Sequence, residues 1–517
     1  MLWALIKNFT RKTAPSRAVD DALSAGIGCL DRGDMTGARR HLLDALAVDA
    51  ADGEAAYHLG LVEARSGGLE RAESLFELAR LKRDDADVNN ALGNVRRLLG
   101  DLPSAAASYR HALECDEYHL AALANLGLTL RDQGMPQQAL MVLERARRLA
   151  PDHVETLFNQ ALALTDLGDG AAAEDLIEHA LKIDPDFSQA RLQRAFMLLK
   201  RRDYAHGWQE YAWRVRIPEV DHWQDFAYPL WQGEALSGKR LLVQAEQGLG
   251  DQIMFASCLP DVLARAQHVS IECDPRLAKL FARSFPSASV YRHRVEGEPD
   301  WMREVAPDYR ARCGDLPRML RQDDGDFPLH EGYLAADPSR VGAWRERLAA
   351  LGPGLNIGIS WRGGTPATGE AIRSMALAAW MPILTVPGAH FVSLQYGDAG
   401  AEIAAMSKRH GVTVHSWASA DAAMDDVAAL TATLDLVITV CTTAAHLTGA
   451  LGKRAWVLVP AVAEWRYAAA GNTMPWYPAL RLFRQRVLHQ WDDVIHEVKS
   501  ELMRELDGQP RRGSTRP

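Results

Sequence analysis

Cysteine is scarce in this chain and its spacing is unhelpful to any cross-link. The six cysteines stand at 29, 115, 258, 273, 313 and 441, far apart and without a CxxC pair. That spacing fits reduced thiols better than a disulfide framework or a zinc module. The histidines form no HExxH or comparable ligand pattern, so no metal is expected from spacing. Long apolar runs are missing too. The opening MLWALIKNFTRK has only six apolar residues before Lys7, too few to span a bilayer or to form a signal-peptide core. It reads as a frayed terminus in preference to a surface-docking helix. Positive charge is not in excess: 58 Lys and Arg stand against 67 Asp and Glu, a net charge of −9. Nothing in that balance favours nucleic acid. A cytoplasmic protein without a transmembrane segment is the expectation.

What is present is enough for several cores. With 517 residues, 48% of them hydrophobic and 24% charged, two to four folded domains are expected, with little disorder. After a short N-terminal segment (1–19), residues 20–217 repeat. Gly26, Gly60, Gly93, Gly127, Ala161 and Ala195 follow one another at steps of 34, 33, 34, 34 and 34. Twelve residues beyond each stands Ala38, Ala72, Ala105, Ala139, Ala173 and, last, Gly207. Small residues at that period let two helices pack closely and stack on the next pair. Stretches such as ALANLGLTLRDQGMPQQALMVLERARRLAPD resemble the tetratricopeptide repeat, which implies an α solenoid of about six repeats. Its concave face is either a groove for a protein partner or the side of a spacer. Asn125 and Asn159 fall on the groove side, but Ser24, His58, Ala91 and Gln193 hold that place elsewhere, so no asparagine ladder runs through it. In the last unit Trp208, Tyr211 and Trp213 are too large for mid-array positions and are expected to plug the solenoid against the next domain.

From Pro218 the period changes to alternating strands and helices, which implies parallel sheets. One half (218–340) has strands at Arg240–Gln244 and His268–Cys273, with a helix from Asp251 to Ala266 between them. The other (341–508) has strands at Asn356–Trp361, Phe391–Gln395, Val437–Val440 and Ala455–Val459. The tail 509–517, within QPRRGSTRP, reads as disordered. The stretch Leu436–Pro460 is the organising one: a buried strand, a break at Cys441–Thr442–Thr443, a helix Ala444–Leu451 and a second strand. A helix N-terminus placed at the carboxyl end of a parallel strand is a seat for an anion. The hydroxyls of Thr442 and Thr443 and the ring of His446 lie next to it.

Four loops fall at carboxyl ends of strands: Glu246–Asp251, Arg362–Arg373, Gln395–Asp398 and Cys441–His446. The segments AEQGLGDQI, ISWRGG with RSM, CTTAAHLTGALGK and PWYPALRLFRQ resemble those of two-domain (GT-B) glycosyltransferases. The likeness is to the heptosyltransferase-like and tetratricopeptide-linked bacterial enzymes, with O-linked N-acetylglucosamine transferase more distant. It implies an α solenoid followed by two Rossmann-like α/β halves that transfer a sugar from a nucleotide-activated donor. It further implies Asp251 as catalytic base, with Arg373, Thr442, Thr443, His446 and Arg362 around the donor diphosphate. Gly248, Gly250, Gln395 and Arg466 are further donor contacts. The acceptor would be a protein held in the repeat groove, flagellin being one candidate. Cys441 stands where many such enzymes have Asp, which favours the alternative of an inactive scaffold with a degenerate transferase domain. No cofactor and no metal are expected, because enzymes of this type support the leaving diphosphate with dipoles and basic side chains. Asp323-Asp324-Gly325-Asp326 mimics a metal-binding DxD but reads as a solvated acidic loop.

Overall fold

The computed structural model describes residues 17–217, 226–293, 301, 306–364, 369–417 and 423–508. Most of the expected N-terminal segment and the whole of the expected disordered tail lie outside the described residues.

The first of two units, Met1–Pro185, holds five helix pairs. Their period comes from side chains that leave no room for a Cβ. A methyl on Gly93 would stand 2.5 Å from the ring of Tyr109, and one on Gly127 only 2.4 Å from Leu143. The same offset joins Gly26 to Leu42 and Gly60 to Phe76. Each glycine lets the second helix of its pair lay one large apolar residue on the first helix's backbone. Asp34, Asp52, Asp85, Asp101 and Asp169 accept from backbone N–H groups at helix starts, satisfying donors the helix cannot. On the first helices, Asn125 donates to both Asn90 and Asn94 at 3.0 Å, so its amide is spent within the unit.

The second unit, Asp186–Pro517, begins with the sixth helix pair, Ser188–Lys200 and Tyr204–Tyr211. As expected of a plug, Trp208 is buried: its indole donates to the Arg321 carbonyl at 2.8 Å and packs edge-on to Trp465 and Trp476. Tyr211 is buried beside it, whereas Trp213 is half-buried between Arg191 and Arg216. Beyond the pair come two sheets. β1 (Arg240–Gln244), β2 (His268–Cys273), β3 (Ser289–Arg292) and β4 (Tyr309–Arg312) form an all-parallel sheet in the order β3-β2-β1-β4. The second sheet contains β5 (Leu355–Ser360), β6 (Ala389–Ser393), β7 (Val414–His415), β8 (Leu436–Val440), β9 (Ala455–Val459), β10 (Thr473–Met474) and β11 (Tyr477–Arg484). Its order is β10-β11-β9-β8-β5-β6-β7, parallel except for the short β10.

In both sheets the chain runs outward from a first strand and then returns to that strand's other side, at β4 and at β8. Strand connections leave in opposite directions there, which opens a crevice at the carboxyl ends. The helix expected over Asp251–Ala266 is broken into Leu249–Phe255, a 3₁₀ turn and Leu259–Leu263. Pro260, with no N–H to give and a ring that crowds the preceding turn, accounts for the interruption. The DDGD loop is an exposed 3₁₀ turn closed on itself by Asp323 and Asp326. Among the described residues no helix is long and apolar enough to cross a membrane.

Candidate functional site

β8 is buried along its whole length and ends at Cys441. The chain then turns into the helix Thr443–Ala450 with Thr442 as its N-cap. The Thr442 hydroxyl accepts from Ala444 N at 3.2 Å and meets Thr439 Oγ1 at 3.0 Å. It therefore serves the helix, and the side chain expected to touch a diphosphate is already committed. Thr443, on the first turn, stays near the loop Gly248–Asp251: a methyl on Gly250 would lie 3.6 Å from its hydroxyl and 3.2 Å from His446 Cδ2. Gly250 is thus where backbones from the two sheets approach most closely. His446 itself is buried, with Nδ1 3.2 Å from the Tyr477 hydroxyl. Burial, helped by the positive charges of Arg466 and Arg373, pushes its pKa down to about 3, so the ring is neutral.

Asp251 lies in the first turn of Leu249–Phe255, whose N-cap is Gly248. Its Oδ1 accepts from Arg466 Nε at 3.0 Å and from Arg466 Nη2. Arg466 also donates to Glu464 Oε2 at 2.6 Å, and Glu464 Oε1 pairs with Arg373 Nη2 at 2.6 Å. Arg373 completes the chain by donating to the Cys441 carbonyl at 3.2 Å. Asp251, Arg466, Glu464, Arg373 and the start of the helix after β8 are therefore one connected cluster. Burial works against the charge on Arg466, but Asp251 and Glu464 outweigh it and raise its pKa above the ordinary value. Two carboxylates balance two guanidinium groups, so the cluster is neutral as it stands.

The backbone around the cluster is held in unusual conformations. Gln247, four residues before Asp251, has φ 59°, and Ala468, two after Arg466, has φ 56° with ψ 172°. Both regions disfavour a Cβ and persist only where surroundings impose them. Gln247 donates to the Tyr211 hydroxyl at 2.6 Å, while the turn bearing Ala468 is clasped by Arg484, which donates to the Gly471 carbonyl at 2.6 Å. Next to Gln247, Glu246 is buried on Arg214, which holds it through Nη2 at 2.7 Å and Nε at 3.0 Å. Asp315 takes a third bond from the same guanidinium, at 2.7 Å. Tyr211 and Arg214 follow directly from the sixth helix pair, so that pair positions the loop carrying Asp251.

Other expected contacts are engaged elsewhere. Arg362 turns to Glu402 at 2.5 Å and to the Asp398 carbonyl at 2.9 Å, away from Glu464. Gln395 accepts from Trp361 N and Arg362 N at 3.0 and 3.1 Å and donates back to the Arg362 carbonyl, which fixes the start of the loop after β5. Trp361 packs beneath that loop, fully buried, and bonds Glu402. Cys441 is a buried thiol whose pKa is pushed up to about 12, chiefly by that burial, which makes it a poor nucleophile. Glu464, Tyr477 and Tyr211 belong to the site without having been singled out from the sequence. For Glu464 the one available signal was its place two residues before Arg466, on the turn after β9.

Residues 84–152 and 118–186 match one tetratricopeptide-repeat family model, and residues 25–87 match another. The protein FlbA of Caulobacter vibrioides is 33% identical over 489 residues, which cover 91% of this chain and 82% of FlbA. Among solved structures, PilF of Pseudomonas aeruginosa aligns over 40% of this chain and 93% of its own, with 19% identity and a TM-score of 0.35. YrrB, described as a repeat protein with an unusual peptide-binding site, aligns over 35% of this chain and 99% of its own, at 20% identity and a TM-score of 0.31.

Proposed function

The chain belongs to the FlbA family, and we propose that it is a glycosyltransferase acting on a protein acceptor. One observation carries this reading. Asp251 from a loop of the first sheet and Arg373, Glu464 and Arg466 from loops of the second meet in one charge cluster beside a helix N-terminus. The strand orders support it, since both sheets reverse at the point where doubly wound folds bind nucleotides. That is the organisation of two Rossmann-like halves of GT-B type.

In the proposed cycle a donor diphosphate takes the place of the Glu464 carboxylate between Arg373 and Arg466. Thr443 and the free N–H groups of its helix support the same anion. As Arg466 turns to the phosphate it lets go of Asp251, whose carboxylate then accepts the proton of the acceptor hydroxyl. The acceptor oxygen forms its bond to the anomeric carbon while the bond from that carbon to the phosphate oxygen breaks. The negative charge leaves on the diphosphate, held by the two arginines. The repeats of Met1–Pro185 would recruit the protein acceptor; flagellin is the first candidate, on the sequence resemblance alone.

A second reading, an inactive scaffold, is favoured by the way the cluster neutralises itself without a ligand. The two part in a deletion strain complemented with wild-type protein or with Asp251→Ala. Intact-mass analysis of surface and flagellar proteins should show a sugar adduct only with the wild type. An adduct restored equally by Asp251→Ala, or none lost on deletion, removes the enzymatic reading.

A further inference from the structure

Away from the charge cluster, one group of side chains in the first unit has the makeup of a metal site. His111 and Cys115 lie one turn apart at the end of the helix Leu102–Cys115, so they share a face. Asp84 meets them from the turn ahead of the helix Ala86–Leu98, the other helix of the same pair. Its carboxylate oxygens are 3.0 and 3.1 Å from His111 Nε2, and Cys115 Sγ is 3.7 Å from the Asp84 carbonyl. One ligand atom from each residue falls within 4.8 Å of the other two. Bound at about 2.0–2.3 Å in a tetrahedron, such atoms sit roughly 3.3–3.8 Å apart, a spacing that small side-chain rotations reach.

The surroundings argue for more than a surface ion pair. His111 Nδ1 is held by the Glu114 carboxylate at 2.9 Å, the outer bond that orients a metal-bound imidazole and leaves Nε2 to the ion. Asn89 Nδ2 fixes Asp84 Oδ1 at 2.7 Å. Cys115 is the exposed cysteine of the six. Burial of its sulfur together with Asp84, Asp85 and Glu114 raises the thiol's pKa, a field that a cation would relieve.

The geometry points to a zinc-class divalent ion held by Cys115 Sγ, His111 Nε2 and the Asp84 carboxylate, with the fourth position left to water. A sulfur, nitrogen and oxygen set suits zinc; magnesium and calcium ask for oxygen alone. Binding expels the Cys115 thiol proton and any proton shared by His111 and Asp84. The ion then sees one thiolate, one neutral imidazole and one carboxylate, and its two charges are balanced. Affinity accordingly rises with pH. The bridge would tie the end of Leu102–Cys115 to the turn before Ala86–Leu98, stapling that repeat.

The test uses the full-length protein without a polyhistidine tag, kept reduced, stripped with chelator and titrated with Co(II). The expected result is a thiolate-to-cobalt charge-transfer band that saturates near one equivalent and is bleached by zinc. Cys115→Ser should lose the band while keeping the wild-type circular dichroism, and His111→Ala should weaken binding at least about tenfold. Zinc should raise the thermal midpoint of the wild type and leave that of Cys115→Ser unchanged. A wild type with no such band, or an equal band in Cys115→Ser, overturns the assignment.

Discussion

His446 shows how one buried ring can report on the state of the cluster. With its pKa at about 3 in the folded protein and near 6.5 when unfolded, it binds its proton far more readily in the unfolded chain. Stability is therefore unaffected by this group above pH ~6.5 and is lost progressively as pH falls from there toward 3, by about 3 kcal/mol at pH 4. His446→Gln, which cannot titrate, should flatten that limb. Thermal midpoints of the two proteins measured between pH 4 and pH 8 check it; parallel curves would contradict it. At this scale the sequence was legible where a residue acts through its own backbone neighbours and illegible where it acts through distant ones. Thr442 was recognisable as a residue type that caps helices, and capping occupies it. Glu464 matters because Arg373 and Arg466 arrive on either side of it, and no local spacing announces that meeting. Arg362 stands in the expected loop, yet Glu402 turns it aside.

Among the elements, the strands at Arg240–Gln244, His268–Cys273 and Ala455–Val459 have the bounds their β-branched runs predict. Local pattern suffices there because each is buried on both faces. Pairing order is another matter, since it depends on crossovers between segments far apart in the chain. The short β7 and β10, of two residues each, are too brief to leave any period. The solenoid helices were legible for a different reason: the close approach of paired helices selects small residues at a fixed step. Gly127→Ala should consequently destabilise the first unit by about 1–3 kcal/mol, because its methyl would overlap Leu143. Adding Leu143→Ala should recover part of that loss. Denaturant unfolding of the single and double variants checks both; a Gly127→Ala midpoint equal to wild type would contradict the packing account.

At the scale of the whole molecule, the sixth helix pair is the hinge of the argument about what folds with what. It looks like the last repeat in sequence, but its Trp208 and the neighbouring Arg214 are built into the second unit. Residues 186–517 expressed alone should unfold cooperatively, as an independent unit would. Starting at 218 should cost at least about 3–5 kcal/mol, because Glu246 would lose Arg214 and stay buried. Melting the two fragments side by side decides it, and equal stability would contradict the positioning role given to the pair. The account's central claim is that loops of two sheets form one seat for a sugar-bearing diphosphate. Isothermal titration of the full chain with a panel of nucleoside diphosphates and nucleotide sugars tests it most directly. The account predicts that at least one binds at one per chain, and that Arg373→Ala weakens it at least about tenfold, or 1.4 kcal/mol. Binding of none, or equal binding by Arg373→Ala, would contradict it.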